Sequence, residues 1–302
     1  MRNNCVAGLI SGIAALVAMA ARAQETPYVQ RENVVYGEVH GVGLLMDVFT
    51  PKGQSNSLAI VDVISGSWYS DRNKIRDHMR AQTFDILCRK GYTVFAIRPG
   101  SITKFSAPEM LANLNTGIRW VKEHAKEYGI DADRLGLMGA SAGGHLACLA
   151  AVTAEDGKAT GDKPAVGTRV KAAAVFFPPT DFLDYGGRAL DPKDTGRWGQ
   201  LVRQLAVPQG AGEQTADELT QRVTKISPAR LVTPQAPPFL LIHGDADPLV
   251  PLQQSQTMLA ALKKAGVAAE LIVKPGGGHP WPTLHEEVQV IADWFDKQLA
   301  AK

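Results

Sequence analysis

Three side chains in this chain have the types and the order needed for nucleophilic acyl chemistry: a serine, then an aspartate, then a histidine. Ser141 lies in Gly139-Ala140-Ser141-Ala142-Gly143-Gly144, between the apolar run Leu135–Met138 and the apolar run His145–Ala151. The first run reads as a buried strand and the second as a helix, so G-x-S-x-G falls on a sharp strand-to-helix turn, a nucleophile elbow. Only small residues fit two positions before and two after the serine in so tight a turn. The turn lifts the hydroxyl clear of the backbone and aims the first amides of the helix, with their positive dipole end, at the reaction centre.

A serine hydroxyl needs a base to take its proton, and the base needs a third group to hold its ring and stabilise its charged form. His279 is the expected base. It sits in Gly276-Gly277-Gly278-His279-Pro280, after the last predicted strand and before the final helix, where glycines allow a sharp turn. The acid lies in His243-Gly244-Asp245-Ala246-Asp247-Pro248, just past a strand end. Asp247 is the expected acid, and Asp245 the carboxylate that caps the turn through nearby amides. The remaining histidines read as structural. His243 bonds locally at a strand end, His285 lies on a helix face, and His145 sits one turn into the nucleophile helix in a structural hydrogen bond. His40, His78 and His124 have no supporting context.

A tetrahedral oxyanion needs two amides aimed at it. One is expected from Ala142. The other is expected from the loop Ser65-Gly66-Ser67-Trp68-Tyr69, after the strand Leu58–Ile64, with Gly66 and Ser67 as equal candidates. Trp68 and Tyr69 are candidate substrate-binding residues, with core packing as the alternative role.

The elements that must position these groups alternate between short apolar strands and helices. Val34–Glu38 and Leu44–Phe49 read as a hairpin, and Thr93–Ile97, Val170–Phe177, Phe239–Ile242 and Ala269–Val273 as further strands. Helices are expected over Arg76–Lys90, from a Ser106/Glu109 capping box to about Tyr128, over Gln253–Ala265 and over Thr283–Leu299. Such alternation implies an α/β class with a mostly parallel sheet of about eight strands, covered on both faces. Residues 182–238 break the rhythm with Gly, Pro and charge, and with helical patches near Trp198–Leu205 and Thr215–Val223. The segment is too long for a plain loop and is read as a small cap insertion.

The 302 residues are 45% hydrophobic and 21% charged, which is ordinary for a globular chain. Residues 1–23 read as a signal peptide: Arg2, an uncharged apolar stretch Val6–Ala20, and the small-x-small site Ala21-Arg22-Ala23. Cleavage after Ala23 would leave residues 24–302 as one catalytic domain, secreted or periplasmic. The apolar stretch is shorter than the roughly 20 residues a membrane span needs, which argues against stable insertion. Losing residues 1–23 removes Arg2 and Arg22 and no acid, leaving 30 basic against 30 acidic residues and no footprint for nucleic acid. No Cys/His spacing suggests a metal. Cys88 and Cys148 read as small buried hydrophobes, and their pairing is open.

Together these motifs resemble the esterase/lipase branch of the α/β-hydrolase superfamily. The similarity is strongest to exported bacterial carboxylesterases of feruloyl and acetyl-xylan esterase type, which are related to prolyl-oligopeptidase catalytic domains. It spans about residues 30–300 and rests on Gly139–His145, His243–Pro251 and Gly276–His279. The resemblance implies an α/β-hydrolase fold and a cofactor-free serine carboxylesterase using Ser141, Asp247 and His279. It points to short or aromatic acyl esters of saccharides or small alcohols as substrates. Many relatives carry His-Gly-Gly-Gly where this chain has Ile64-Ser65-Gly66-Ser67. Two other readings stand beside it: a serine peptidase of the prolyl-oligopeptidase type, disfavoured by the absence of a preceding β-propeller, and a non-catalytic binding protein on a hydrolase scaffold.

Overall fold

β-Branched and apolar runs become strands buried on both faces, and the helices between them cover those faces. The computed structural model describes residues 25–157 and 166–300; the expected leader, residues 1–23, lies outside them. Eight strands form one sheet: β1 (Tyr28–Val39), β2 (Val42–Pro51), β3 (Ala59–Val63), β4 (Thr93–Arg98), β5 (Leu135–Ala140), β6 (Ala172–Phe176), β9 (Phe239–Gly244) and β10 (Ala269–Lys274). Their order is β1-β2-β4-β3-β5-β6-β9-β10. β2 pairs antiparallel with both β1 and β4, and every other pairing is parallel. This is the α/β-hydrolase fold, and the strand count matches the sequence expectation.

Two apolar layers flank the sheet. On one face Leu114 and Ile118 of α3 (Ala107–Glu123), Leu146 of α5 (Ala142–Val152) and Met258 of α8 (Gln253–Lys264) pack on Val61, Val63 and Leu137. On the other, Ile75 of α1 (Arg72–Arg80), Phe84 and Leu87 of α2 (Thr83–Arg89) and Ile291 and Phe295 of α9 (Leu284–Ala300) pack on Ile60, Ala96 and Met138. The Ser106/Glu109 capping box forms as read, with the Ser106 amide donating to Glu109 Oε2 at 2.7 Å.

Two helical expectations need correction. The helix read over Arg76–Lys90 is two helices, α1 and α2, broken at Ala81-Gln82, where Gln82 takes φ 56°. The helix read to Tyr128 is interrupted at His124, between α3 and the short turn α4 (Ala125–Tyr128). The segment 182–238 holds a two-stranded ribbon, β7 (Asp184–Tyr185) and β8 (Arg188–Ala189), followed by α6 (Arg197–Ala206) and α7 (Ala216–Lys225). Val202, Leu205, Leu219 and Val223 of the two helices join the α3/α5 layer, so the insertion is packed rather than solvated. Cys88 and Cys148 are buried free thiols. No helix among the described residues is long and apolar enough to cross a membrane.

Candidate active site

The end of β5 and the start of α5 meet at Ser141, which holds φ 54°, a left-handed conformation costly for a residue with a Cβ. Backbone hydrogen bonds fix it there. The Ser141 amide donates to the Phe176 carbonyl at 3.0 Å, and the Ser141 carbonyl accepts from the His145 amide at 2.8 Å. Two residues on, the Gly143 amide donates to the Ser65 carbonyl at 3.0 Å, tying α5 to the loop after β3. A Cβ on Gly143 would stand 2.2 Å from the Val63 carbonyl oxygen, so the second glycine of the motif is fixed by the approach of β3.

The loop after β10 brings His279 to the serine. His279 Nε2 is 2.9 Å from Ser141 Oγ, and His279 Nδ1 is 2.6 Å from Asp247 Oδ2. The Asp247 side chain is fully buried, and its Oδ1 accepts from the amides of Leu249 at 2.8 Å and Val250 at 2.9 Å. Burial opposes its ionisation, but His243, His279 and those two amides outweigh it and hold the carboxyl well below the usual range. With the carboxylate ionised, Nδ1 carries the ring proton and Nε2 faces the hydroxyl as an acceptor. Asp245 does not cap its own turn as the sequence suggests: its Oδ1 accepts from the Gly276 amide at 2.6 Å, binding the glycine loop to the acidic loop. There the backbones touch, because a Cβ on Gly244 would lie 2.1 Å from the Gly277 carbonyl oxygen. His243 is structural, with Nδ1 2.7 Å from Ser255 Oγ and Nε2 2.8 Å from the Val250 carbonyl.

The loop Ser65–Tyr69 turns back on itself. The Gly66 amide donates to the Tyr69 carbonyl and the Tyr69 amide to the Gly66 carbonyl, both at 2.9 Å. Ser67 and Trp68 occupy the turn with positive φ. The amides of Ala142 and Ser67 have no backbone acceptor among the described residues. Trp68 is buried, and its indole N–H donates to His145 Nδ1 at 3.0 Å, while His145 Nε2 donates to the Ile226 carbonyl at 2.8 Å. These two bonds fix the neutral tautomer of His145 and join the loop after β3, helix α5 and the later part of the insertion.

Burial pushes the His145 pKa down to about 4 from 6.5. Above pH 6.5 the ring is neutral folded or unfolded and adds no pH dependence. As the pH falls towards 4 the unfolded chain takes a proton that the folded chain refuses, which costs about 3 kcal/mol. Urea denaturation is therefore expected to show a stability loss between pH 6.5 and 4 that shrinks in His145→Gln. An equal acid loss in both proteins would refute this role.

A cleft of about 420 Å³ opens over the serine. Tyr185, Trp198 and Leu201 of the insertion line it, with Phe177 after β6 and Leu249 of the acidic loop. Trp68 lines it too, as expected. Tyr69 does not: it is 44% exposed and outside the cleft, because the bond between Gly66 and Tyr69 closes the turn before its side chain can point inward. Lys74, Asp77 and His78 of α1 line it as well, and no motif in the sequence singles them out. The signal that could have found His78 is Asp62, a lone charge in the middle of the apolar strand Leu58–Ile64. Among the described residues no group of three or more His, Cys, Asp or Glu side chains could hold a metal.

Comparison with known proteins agrees with this fold. Esterase LipC of Mycobacterium tuberculosis is 26% identical over 261 residues, 85% of this chain and 61% of its own. The probable carboxylic ester hydrolase LipM of the same organism is 29% identical over 205 residues, 68% of this chain and 44% of its own. The chain thus spans 44% and 61% of the length of these two curated relatives. Among solved structures, a truncated form of a carbohydrate esterase from gut microbiota has a TM-score of 0.76 at 26% identity, covering 92% of this chain and 99% of that one. The BD-FAE family model matches residues 46–262, from β2 into α8, taking in the loop after β3, the elbow and the acidic loop and stopping short of His279. On that match, over most of its length, the chain belongs to the BD-FAE family of α/β-hydrolases.

Proposed function

We propose that this protein is a serine carboxylester hydrolase working through an acyl-enzyme, with Ser141 as nucleophile, His279 as base and Asp247 as acid. The observation that carries this is the unbroken chain Ser141–His279–Asp247, at 2.9 and 2.6 Å, on an elbow that opens into a cleft. The esterase names of the relatives, and the carbohydrate esterase among the solved structures, support the same reaction class.

Ser141 Oγ attacks the ester carbonyl carbon as His279 Nε2 takes the hydroxyl proton. The carbonyl π electrons move onto oxygen, and the imidazolium is balanced by Asp247. The amides of Ala142 and Ser67 hold the oxyanion. Ser67 is the better of the two loop candidates, because the Gly66 amide is already committed to the Tyr69 carbonyl. Collapse of the intermediate breaks the bond to the alcohol oxygen, which leaves with the proton from His279. Water then loses a proton to His279, attacks the acyl-serine, and releases the acid and the free hydroxyl. Every proton transfer runs through His279, and no step calls for a cofactor.

The substrates we propose are small esters, with short or aromatic acyl esters of saccharides as the narrower class. The apolar aromatic wall of Phe177, Tyr185 and Trp198 suits flat or short acyl groups. Residues 182–238 act as a cap, since Tyr185, Trp198 and Leu201 come from them. Residues 1–23 act as an export signal, which places residues 24–302 outside the cytoplasm.

The test is turnover of p-nitrophenyl acetate, acetylated xylan, methyl ferulate and a matched peptide anilide by residues 24–302. Esters turned over well ahead of the anilide are expected. Anilide turnover equal to ester turnover would favour a peptidase, failure on both saccharide-type substrates would remove the narrower class, and no turnover of any would overturn the reading.

A further inference from the structure

One wall of the cleft carries a histidine–aspartate pair that the ester chemistry does not use. His78, near the end of α1, has Nδ1 2.6 Å from Asp62 Oδ2. Asp62 lies on β3, fully buried in the layer that holds Ile60, Ile64 and Met138. Its other oxygen, Oδ1, has no hydrogen-bond partner among the described residues. A carboxylate there is a costly choice for stability alone, since an apolar residue of similar size would fill the layer at least as well.

The pair has one evident product, a fixed ring. The Asp62 carboxylate accepts from Nδ1–H and so orients the imidazole. Burial lowers the ring's basicity, but Asp62, with a smaller contribution from Asp77, more than restores it, so the pKa is raised. Nε2 is left without a protein partner among the described residues, on a side chain that lines the cleft.

The surroundings tie this wall to the reaction centre. Lys74, one turn before His78, lies flush on the oxyanion loop, so that a Cβ on Gly66 would stand 2.9 Å from Lys74 Cδ. Asp77 is already engaged by Arg80 at 2.8 Å and Lys74 at 3.5 Å. Ser65 also lines the cleft, and its Oγ is buried without a hydrogen-bond partner among the described residues. Tyr185, Trp198, Leu201 and Leu249, which also line the cleft, are mainly apolar.

We propose that the arm of the cleft beside α1 is a specificity subsite for a hydrogen-bond-accepting oxygen of the substrate, with His78 Nε2–H as donor and Asp62 as its positioning residue. The proposal rests on the esterase reading and adds to it a substrate class: esters bearing a second oxygen function beyond the scissile group. That oxygen is either a carboxylate or a neutral ether or hydroxyl.

Three isosteric pairs distinguish these sources, with kcat/KM followed by pH-stat. Monoethyl succinate against ethyl 4-methylpentanoate places a carboxylate on the acyl side. Ethyl 3-methoxypropanoate against ethyl pentanoate places a neutral oxygen there. 2-Methoxyethyl acetate against butyl acetate places it on the alcohol side. The wild type is expected to favour the oxygen-bearing ester about tenfold in at least one pair, as one hydrogen bond to a charged donor allows. His78→Phe should bring that ratio to about one while changing the apolar ester by no more than about twofold. Asp62→Leu/His78→Phe, which leaves no unpaired charge in the layer, should do the same and covers the case in which the single variant does not fold. Asp62→Asn should raise KM for the oxygen-bearing ester with little change in kcat. A ratio that is the same in wild type and variants for all three pairs overturns the subsite. Turnover of ethyl pentanoate reports the esterase reading separately, since it needs Ser141 and not His78.

Discussion

Ser141→Ala is expected to lower kcat for p-nitrophenyl acetate by about 10⁶-fold while leaving KM little changed. The substituted side chain lacks the oxygen that His279 Nε2 reaches at 2.9 Å, so no acyl-enzyme can form. What remains is attack by water assisted by the oxyanion amides, which is slow. The variant keeps a Cβ at φ 54° and the backbone bonds to Phe176 and His145, so its thermal midpoint should match the wild type. Retained turnover in a folded variant would mean that the nucleophile is elsewhere.

Asp247→Asn should cost about 10⁴-fold in kcat, for a reason visible in the hydrogen bonds. Asp247 Oδ1 is held by two amide donors, Leu249 and Val250, so the asparagine must place its carbonyl oxygen there. Its NH₂ group then faces His279 Nδ1 and donates to it. The ring proton is forced onto Nε2, which points at Ser141 as a donor and cannot take the hydroxyl proton. A double variant, Ser141→Ala/Asp247→Asn, should be no slower than Ser141→Ala alone, because the two residues act as a unit. A loss of less than about tenfold in the single variant would show that Asp247 is not the group that orients His279.

The residues of the proposed triad are legible in the sequence because each sits where a strand ends and small residues mark the turn: Gly139 and Gly143 around Ser141, Gly244 before Asp247, and three glycines before His279. The sheet is legible for a related reason, since strands buried on both faces leave continuous apolar runs. What is not legible depends on how side chains meet across elements. Nothing in Arg76–Lys90 marks the break at Gln82, because a non-glycine residue takes the left-handed conformation there and apolar residues continue through it. Gly66 and Ser67 are equivalent as residue types, and only the bond between Gly66 and Tyr69 separates their amides. The same turn sends Tyr69 outward. His78 has no partner at helical spacing, because Asp62 lies 16 residues earlier on a strand beneath it.

The His145 bond to Ile226 limits how the insertion can behave. Withdrawing the Ile226 carbonyl would strand a buried imidazole N–H, at a cost of about 1–3 kcal/mol, and would loosen the Trp68 contact at the same time. The downstream end of the segment is therefore a fixed post, part of the frame that shapes the oxyanion loop. Any opening that admits substrate must hinge upstream of it, in the ribbon and α6, where Tyr185 and Trp198 stand over the cleft. Chimeras that exchange residues 182–215 with those of relatives can then retune access, whereas chimeras that cross the junction at Ile226 will disturb catalysis itself.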